Sequence, residues 1–133
     1  MAVIGVGVDL VAVGEFAELL DRPGTTVLGS FTAGERRAAA TRSKNPARHF
    51  AARWAAKEAL VKAWSASLYG RPPVAPEGIH HLIEVVTDAW GRPSLRLHGV
   101  VAEHLVGTTA HVSLTHDGDM AGAFVVLEAA TGT

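Results

Sequence analysis

The sequence predicts an α+β protein in which a mainly antiparallel sheet packs against one long central helix. Residues 47–68 contain no Gly or Pro and are rich in Ala, which favours a long helix. Apolar runs typical of strands lie near both ends of the chain, at residues 3–13 and 121–127. No linker or internal repeat divides the chain, so residues 1–133 are expected to form a single domain.

The remaining elements are predicted from turn and capping signals. Thr32 and Glu35 match a capping box, which predicts a helix over 33–42. Asn45-Pro46 suits the start of the central helix, because proline is well placed in a first helical turn. The predicted order is β-α-α-α-β-β-α-β-β, with a loop at 70–78 and a frayed tail at 129–133. Strands are expected at 3–13, 83–87, 94–98, 111–115 and 121–127, and further helices at 15–20 and 100–106.

Composition restricts the class of protein. Hydrophobic residues make up 48% of the chain and charged residues 19%, a globular balance. No apolar run has membrane-spanning length and no signal-peptide pattern opens the chain, so we expect a cytoplasmic protein without membrane contact. The absence of cysteine excludes disulfides and thiol chemistry.

Positive charge is concentrated in one segment. Eight of the twelve Lys and Arg residues lie between positions 36 and 62, where Glu58 is the only acid. The segment predicts a positive face that suits phosphate, nucleic acid or an acidic protein. Aromatic residues make up only 6% of the chain and are not interleaved with the basic ones, which argues against single-stranded nucleic acid.

The first predicted strand has two different faces. Gly5, Gly7 and Asp9 share one face by the period of two, and the residues between them form an apolar face. Two glycines beside a carboxylate indicate that another backbone approaches closely. The string GVGVDL is not a dinucleotide fingerprint, because Leu10 replaces the third glycine. The alternative for Asp9 is a strand-end residue that makes local turn bonds.

The central helix is predicted to be apolar on two sides and therefore packed on two sides. Its bulky stripe contains Phe50, Trp54, Val61 and Trp64, and its smooth stripe contains Ala52, Ala56, Ala59 and Ala63. Glu58 and Lys62 lie between the stripes. They are either an ordinary i,i+4 ion pair or part of a functional site.

Four polar residues from distant segments are candidates for chemistry: Asp9, Glu58, Lys62 and His116. Two carboxylates with few Cys or His neighbours suit a hard cation such as Mg²⁺, which completes its shell with water and substrate phosphates. The residues therefore favour chemistry on a phosphate ester or pyrophosphate. The seven histidines have no recognisable zinc-ligand spacing.

Several motifs resemble those of the holo-acyl-carrier-protein synthases, the small 4′-phosphopantetheinyl transferases. They are VGVDLVAV with Asp9, FTAGE with Glu35, RHFAARWAAKEALVKAW, the GRP turn at 91–93, and HVSLTH followed by DGDMAGAFVVLE. The resemblance covers nearly the whole chain in the family's order and spacing. The segments FTAGERR and VVTDAWGRP are most similar to the corresponding segments of actinobacterial members.

This resemblance implies the phosphopantetheinyl transferase fold and an enzyme that moves phosphopantetheine from coenzyme A to a serine of apo acyl carrier protein, in fatty acid biosynthesis. It also implies Mg²⁺, release of adenosine 3′,5′-bisphosphate, and a homotrimer with sites between subunits. Asp9 and Glu58 match the metal ligands, and Lys62 matches the lysine that contacts the pyrophosphate. The residues that match nucleotide-holding regions are Arg53, Arg92, Pro93, Thr115 and His116.

Some assignments stay open at this point. The general base is Glu58, Glu35 acting through water, or a metal-bound water. Residues 11–16 read VAVGEF and do not match the family pattern IVEIxRI, which has a glutamate followed by a carrier-binding arginine. We therefore expect the basic cluster at 36–48 to meet the carrier, either free or as a domain of a large synthase. The alternative function is a non-catalytic trimeric module that binds nucleotide or an acidic protein. Only the transferase requires Mg²⁺ and turnover.

Overall fold

A computed structural model describes residues 1–130, which form five strands and four α-helices in the predicted order. The strands are β1 (Ala2–Ala12), β2 (Ile83–Thr87), β3 (Pro93–Leu97), β4 (Thr108–Asp117) and β5 (Met120–Ala129). The helices are α1 (Val13–Asp21), α2 (Ala33–Arg42), α3 (Pro46–Ser67) and α4 (Gly99–His104). Short 3₁₀ helices form at Val27–Ser30 and His80–Leu82. The predicted α+β class is confirmed.

The strands divide between two antiparallel sheets. One sheet has the order β1-β5-β4, and the other pairs β2 with β3. The helix α4 lies between β3 and β4 along the chain, so the two sheets are joined through a helix and not through a hairpin. The expected single sheet is therefore two sheets, with β1 and β4 at the edges of the larger one.

The helix α3 packs directly against β1. A Cβ atom added to Gly7 would overlap the carbonyl oxygen of Ala59, and one added to Gly5 would overlap that of Ala63. Only glycine permits this approach of strand backbone to helix backbone. The predicted close approach at the glycine face is confirmed, and it places the next residue on that face, Asp9, beside the helix.

Buried side chains surround α3 on more than one side, as predicted, and form two clusters. The larger cluster joins four alanines of α3, between positions 55 and 63, to Val125 and Leu127 of β5 and to the smaller sheet. The second cluster is aromatic: the Phe31 ring lies 6.3 Å from that of Phe16 and 4.8 Å from that of Phe50. The bulky stripe of α3 is therefore shared, because Phe50 and Trp54 contact the second cluster whereas Val61 and Trp64 contact the first.

Several element boundaries differ from the prediction. The strand β4 begins at Thr108, and β5 extends to Ala129, which pairs with Ala2 and Thr108, so Ala129 belongs to the sheet and not to a frayed tail. Ala130 follows the strand and donates to the Gly107 carbonyl oxygen at 3.3 Å, and residues 131–133 of the predicted tail lie outside the described residues. No helix among residues 1–130 is long and apolar enough to cross a membrane.

The helix α1 begins at Val13, two residues before the predicted start, because the β4–β5 turn caps it. The Val13 amide donates to the Asp119 carbonyl at 2.8 Å, and the Gly14 amide donates to Asp119 Oδ1 at 3.1 Å. A carboxylate that accepts from the first amides of a helix stabilises its N-terminus. The turn signal at 117–119 therefore has a second role that the sequence pattern did not indicate.

Candidate active site

Asp9 and Glu58 line the same cavity, which has a volume of about 360 Å³. Asp9 comes from the glycine face of β1, and Glu58 comes from the part of α3 that packs on this strand. Glu15 and Phe16 of α1 and Trp54 of α3 form other parts of the wall. The structure therefore brings together the two carboxylates that the sequence selected from distant segments.

Lys62 contacts Asp9 and not its helix neighbour Glu58. Its Nζ atom lies 2.9 Å from Asp9 Oδ1 and 3.1 Å from the Val8 carbonyl oxygen. The i,i+4 pair considered for Glu58 and Lys62 is therefore not formed. The Lys62 side chain is 54% exposed, whereas the Asp9 side chain is 16% exposed. The lysine side of this ion pair is therefore accessible to an entering anion.

Glu58 is held by a residue that sequence reasoning missed. Its Oε1 atom lies 2.9 Å from Nε2 of His80, and the His80 ring stacks on Trp54 with centroids 4.6 Å apart and an angle of 18° between the planes. In the sequence, His80 is only one of seven histidines without a recognisable zinc-ligand spacing. No local pattern indicated a contact between this loop and α3.

Glu35 forms a buried ion pair with Lys57. Glu35 Oε1 accepts from Lys57 Nζ at 2.8 Å and from the Thr32 amide at 2.8 Å, while Oε2 accepts from the Val85 amide at 2.9 Å. Lys57 also donates to the carbonyl oxygens of His80 and Ile83. Burial lowers the pKa of Lys57, and the Glu35 carboxylate partly offsets this effect.

These contacts bear on the predicted catalytic role of Glu35. Its side chain is almost fully buried, and both oxygens already accept hydrogen bonds that join α2 to α3 and β2. Action as a general base through water stays a prediction, and the contacts favour a structural role. The capping box itself was predicted correctly, because Thr32 Oγ1 accepts from the Glu35 amide at 3.1 Å.

Arg53 lines a second, larger cleft of about 470 Å³ between α2, α3 and the smaller sheet. Arg37, Arg42 and Arg96 also line this cleft, as does His49. Burial, together with the positive charge of Arg53, lowers the pKa of His49 to about 4. The imidazole is therefore neutral near pH 7. Glu35 and Glu84 also line the cleft, but the four guanidinium groups outnumber these two carboxylates, and the cleft suits an anion.

The other predicted nucleotide contacts lie apart from the carboxylates. Arg92 is exposed in the β2–β3 turn, where its Nε atom donates to Asp88 Oδ2 at 2.7 Å and its guanidinium lies 5.0 Å from the Trp90 ring centroid. Thr115 and His116 are exposed near the end of β4. Neither these residues nor Pro93 line the Asp9–Glu58 cavity. One copy of residues 1–130 does not assemble all the predicted contacts around that cavity.

The Asp9–Glu58 pair fits a magnesium ion better than a zinc ion. Among residues 1–130, no group of three or more His, Cys, Asp and Glu side chains is arranged to hold a metal ion. A closed zinc site needs more ligands than two carboxylates supply. Mg²⁺ is commonly bound by one or two carboxylates together with water and substrate phosphates. The donor set therefore fits Mg²⁺ that enters with a phosphate-bearing substrate.

The fold and this pair of carboxylates on a strand and a long helix define a class of transferase. The family model of the 4′-phosphopantetheinyl transferase superfamily matches residues 5–125, and the chain belongs to this superfamily. A holo-[acyl-carrier-protein] synthase from Mycobacterium sp. (strain KMS) is 61% identical over 128 residues, covering 96% of this chain and 98% of the relative. The protein of that name from Mycobacterium tuberculosis H37Rv is 58% identical over 129 residues, covering 97% and 99%.

Solved structures agree with this membership. The Mycobacterium tuberculosis acyl carrier protein synthase superposes with a TM-score of 0.82 at 52% identity, covering 97% of this chain and 100% of that one. A complex of the Chronobacterium ammoniagenes enzyme with coenzyme A gives a TM-score of 0.87 at 45% identity, covering 94% and 96%. The predicted family and fold are confirmed.

Proposed function

We propose that the protein transfers 4′-phosphopantetheine from coenzyme A to a serine of apo acyl carrier protein and releases adenosine 3′,5′-bisphosphate. The observation that carries this function is the cavity shared by Asp9 and Glu58, with Lys62 bonded to Asp9, in a member of the transferase superfamily. The names of the relatives and the coenzyme A complex of one neighbour support the same reaction.

Asp9 and Glu58 hold Mg²⁺ in this proposal. Bound there, Mg²⁺ would offset the negative charge that develops on the leaving bisphosphate. Lys62 leaves Asp9 and pairs with the pyrophosphate. Of the two carboxylates considered as general base, Glu58 lines the cavity whereas Glu35 is buried, so Glu58 is better placed to receive the proton of the serine hydroxyl.

The nucleotide end of coenzyme A is assigned to the arginine-lined cleft and to a neighbouring subunit. Arg53 faces the cleft of its own chain, and Arg92, Pro93, Thr115 and His116 complete the site across an interface in a homotrimer. The outer face of the larger sheet supports assembly, because Val8 is 58% exposed, Leu10 66% and Phe124 47%. This apolar face includes the edge strand β1 and is the kind of surface that an interface covers.

The carrier is expected to approach the basic cluster of α2 and the start of α3. The alternative surface, α1, is acidic, because Glu15, Glu18 and Asp21 are all exposed. Arg36, Arg37 and Arg48 are also exposed and supply the positive charge that an acidic carrier needs. The carrier is either free or a domain of a fatty acid synthase, which places the protein in cytoplasmic fatty acid biosynthesis.

The decisive experiment mixes the protein with coenzyme A, Mg²⁺ and an apo acyl carrier protein, and follows the carrier by mass spectrometry. We expect a mass gain of one phosphopantetheine that EDTA prevents. Binding of coenzyme A without any mass gain would instead favour the non-catalytic module.

Asp9→Ala and Glu58→Ala are the matched variants for this assay. Each should lower kcat/KM by more than about 100-fold, because loss of a metal ligand exceeds the loss of an outer-shell partner. Both side chains line a cavity and not a core, so circular dichroism should show an intact fold. A fully active Asp9→Ala protein would contradict the metal assignment.

A further inference from the structure

His80 is the side chain that contacts Glu58 from outside the cavity. It lies in the 3₁₀ helix that follows the proline-rich loop, and its Nε2 atom is 2.9 Å from Glu58 Oε1. Because a carboxylate only accepts hydrogen bonds, Nε2 is the donor. His80 does not line the Asp9–Glu58 cavity, so any effect on bound substrate passes through Glu58.

Two further contacts fix the position of this imidazole. Its plane lies against the indole of Trp54, which precedes Glu58 by one helical turn. Its backbone carbonyl accepts from Lys57 Nζ at 2.9 Å, and Lys57 is itself held by the buried Glu35 carboxylate. The position of His80 is therefore set by ring stacking and by a backbone hydrogen bond, independently of its contact with Glu58.

We propose that His80 is a positioning residue that holds the Glu58 carboxylate in the orientation required to bind a divalent cation. The proposal rests on the proposed function, in which Glu58 is a metal ligand. In this proposal the buried Glu35–Lys57 pair also affects the site, because Lys57 holds the backbone of His80 and the His80 ring holds Glu58. Outer-shell partners of this type typically change metal affinity or activity by about 10–100-fold when they are lost.

Three variants separate the possible roles of His80. His80→Phe retains an aromatic ring against Trp54 and removes the hydrogen bond to Glu58. His80→Gln retains an N–H donor at similar reach and removes the ring. His81→Phe is the matched control, because His81 is the adjacent histidine and is exposed.

The primary measurement is Mn²⁺ binding, followed by electron paramagnetic resonance, with coenzyme A present and no carrier protein. We expect His80→Phe to weaken Mn²⁺ binding by about 10-fold or more, His80→Gln to recover much of this loss, and His81→Phe to match the wild type. In the transfer assay, the Mg²⁺ concentration for half-maximal rate should rise in the same order.

A merely structural role would lower the melting temperature and the active fraction without changing the Mn²⁺ dissociation constant, and that result would overturn the proposal. If Glu58→Gln abolishes Mn²⁺ binding while His80→Phe binds normally, only the role of His80 fails. If the wild-type protein neither binds Mn²⁺ nor modifies the carrier, both the proposed function and the role of His80 fail.

Discussion

At the scale of single residues, Lys57 and Glu35 are the most constrained pair. Lys57 has no exposed surface, and its ammonium group has one carboxylate and two carbonyl oxygens as partners. Removal of one member of a buried pair leaves the other charge uncompensated, which typically costs about 3–5 kcal/mol. The pair therefore links α2, α3 and β2 through buried hydrogen bonds.

We predict that Lys57→Met lowers the free energy of unfolding by about 3–5 kcal/mol, because Glu35 is left buried without its ion-pair partner. The double variant Lys57→Met, Glu35→Gln should recover part of this loss. Urea denaturation followed by circular dichroism measures both. A single variant as stable as the wild type would show that Glu35 finds another partner or is neutral.

His49 makes stability depend on pH. Its pKa in the folded protein is about 4, against an ordinary value of 6.5. Between these values the unfolded chain takes up a proton that the folded protein does not, so stability falls as the pH drops from about 6.5 to about 4. His49→Gln removes this contribution, and its stability should decline less across that window.

Thermal denaturation at several pH values between 4 and 7 measures the difference between wild type and His49→Gln. Partial burial alone would raise the pKa of Glu84, but hydrogen bonds from Thr32 and His98 outweigh burial, and the pKa is lowered. Glu84 thus also loses stabilising effect in acid, equally in both proteins. Parallel pH profiles would contradict the assignment to His49.

At the scale of elements, the contact between β1 and α3 sets the geometry of the cavity. Gly7→Ala would place a methyl group on the Ala59 carbonyl oxygen, and backbone must move to relieve the overlap. We predict a loss of about 1–3 kcal/mol in stability, the usual cost of overpacking, together with lower kcat because Asp9 shifts.

Gly29→Ala is the control, because an added Cβ there meets nothing within 4 Å. It should leave the melting temperature and the rate of transfer unchanged. If Gly7→Ala behaves like Gly29→Ala, the strand and helix are not as tightly apposed as the structure shows.

The sequence predicted those features that depend on local patterns or on one-dimensional spacing. The capping box at Thr32, the glycine face of β1 and the Asp9–Glu58 pair all follow from such patterns or from the resemblance. The buried Lys57 and the His80–Glu58 contact do not. A lysine in a basic segment gives no local sign of burial, and contacts between a loop and a helix depend on tertiary packing.

At the scale of the whole molecule, His116 and Arg92 lie apart from the Asp9–Glu58 cavity of their own chain. We therefore predict that they reach the cavity of a neighbouring subunit in an oligomer. We expect light scattering to show a homotrimer, with Asp9 and Glu58 of one subunit near His116 or Arg92 of another. Asp9→Ala and His116→Ala proteins should each be inactive. Their mixture, after reversible dissociation, should regain part of the activity, because some interfaces contain neither substitution.

The control for this experiment is each variant dissociated and reassembled alone, which should stay inactive. No recovery despite demonstrated subunit exchange would place every site within one chain. A monomer at assay concentration would refute the assembly itself.

Both faces of β1 restrict which substitutions the strand tolerates. A surface strand usually accepts substitutions at every second position, where side chains point to water. In β1 the inner positions Gly5 and Gly7 admit no side chain beside α3, and the outer positions Val6 and Val8 belong to the apolar face assigned to the subunit interface. Saturation mutagenesis should therefore find consecutive positions of β1 intolerant, with loss of stability and activity on the inner face and loss of assembly on the outer one.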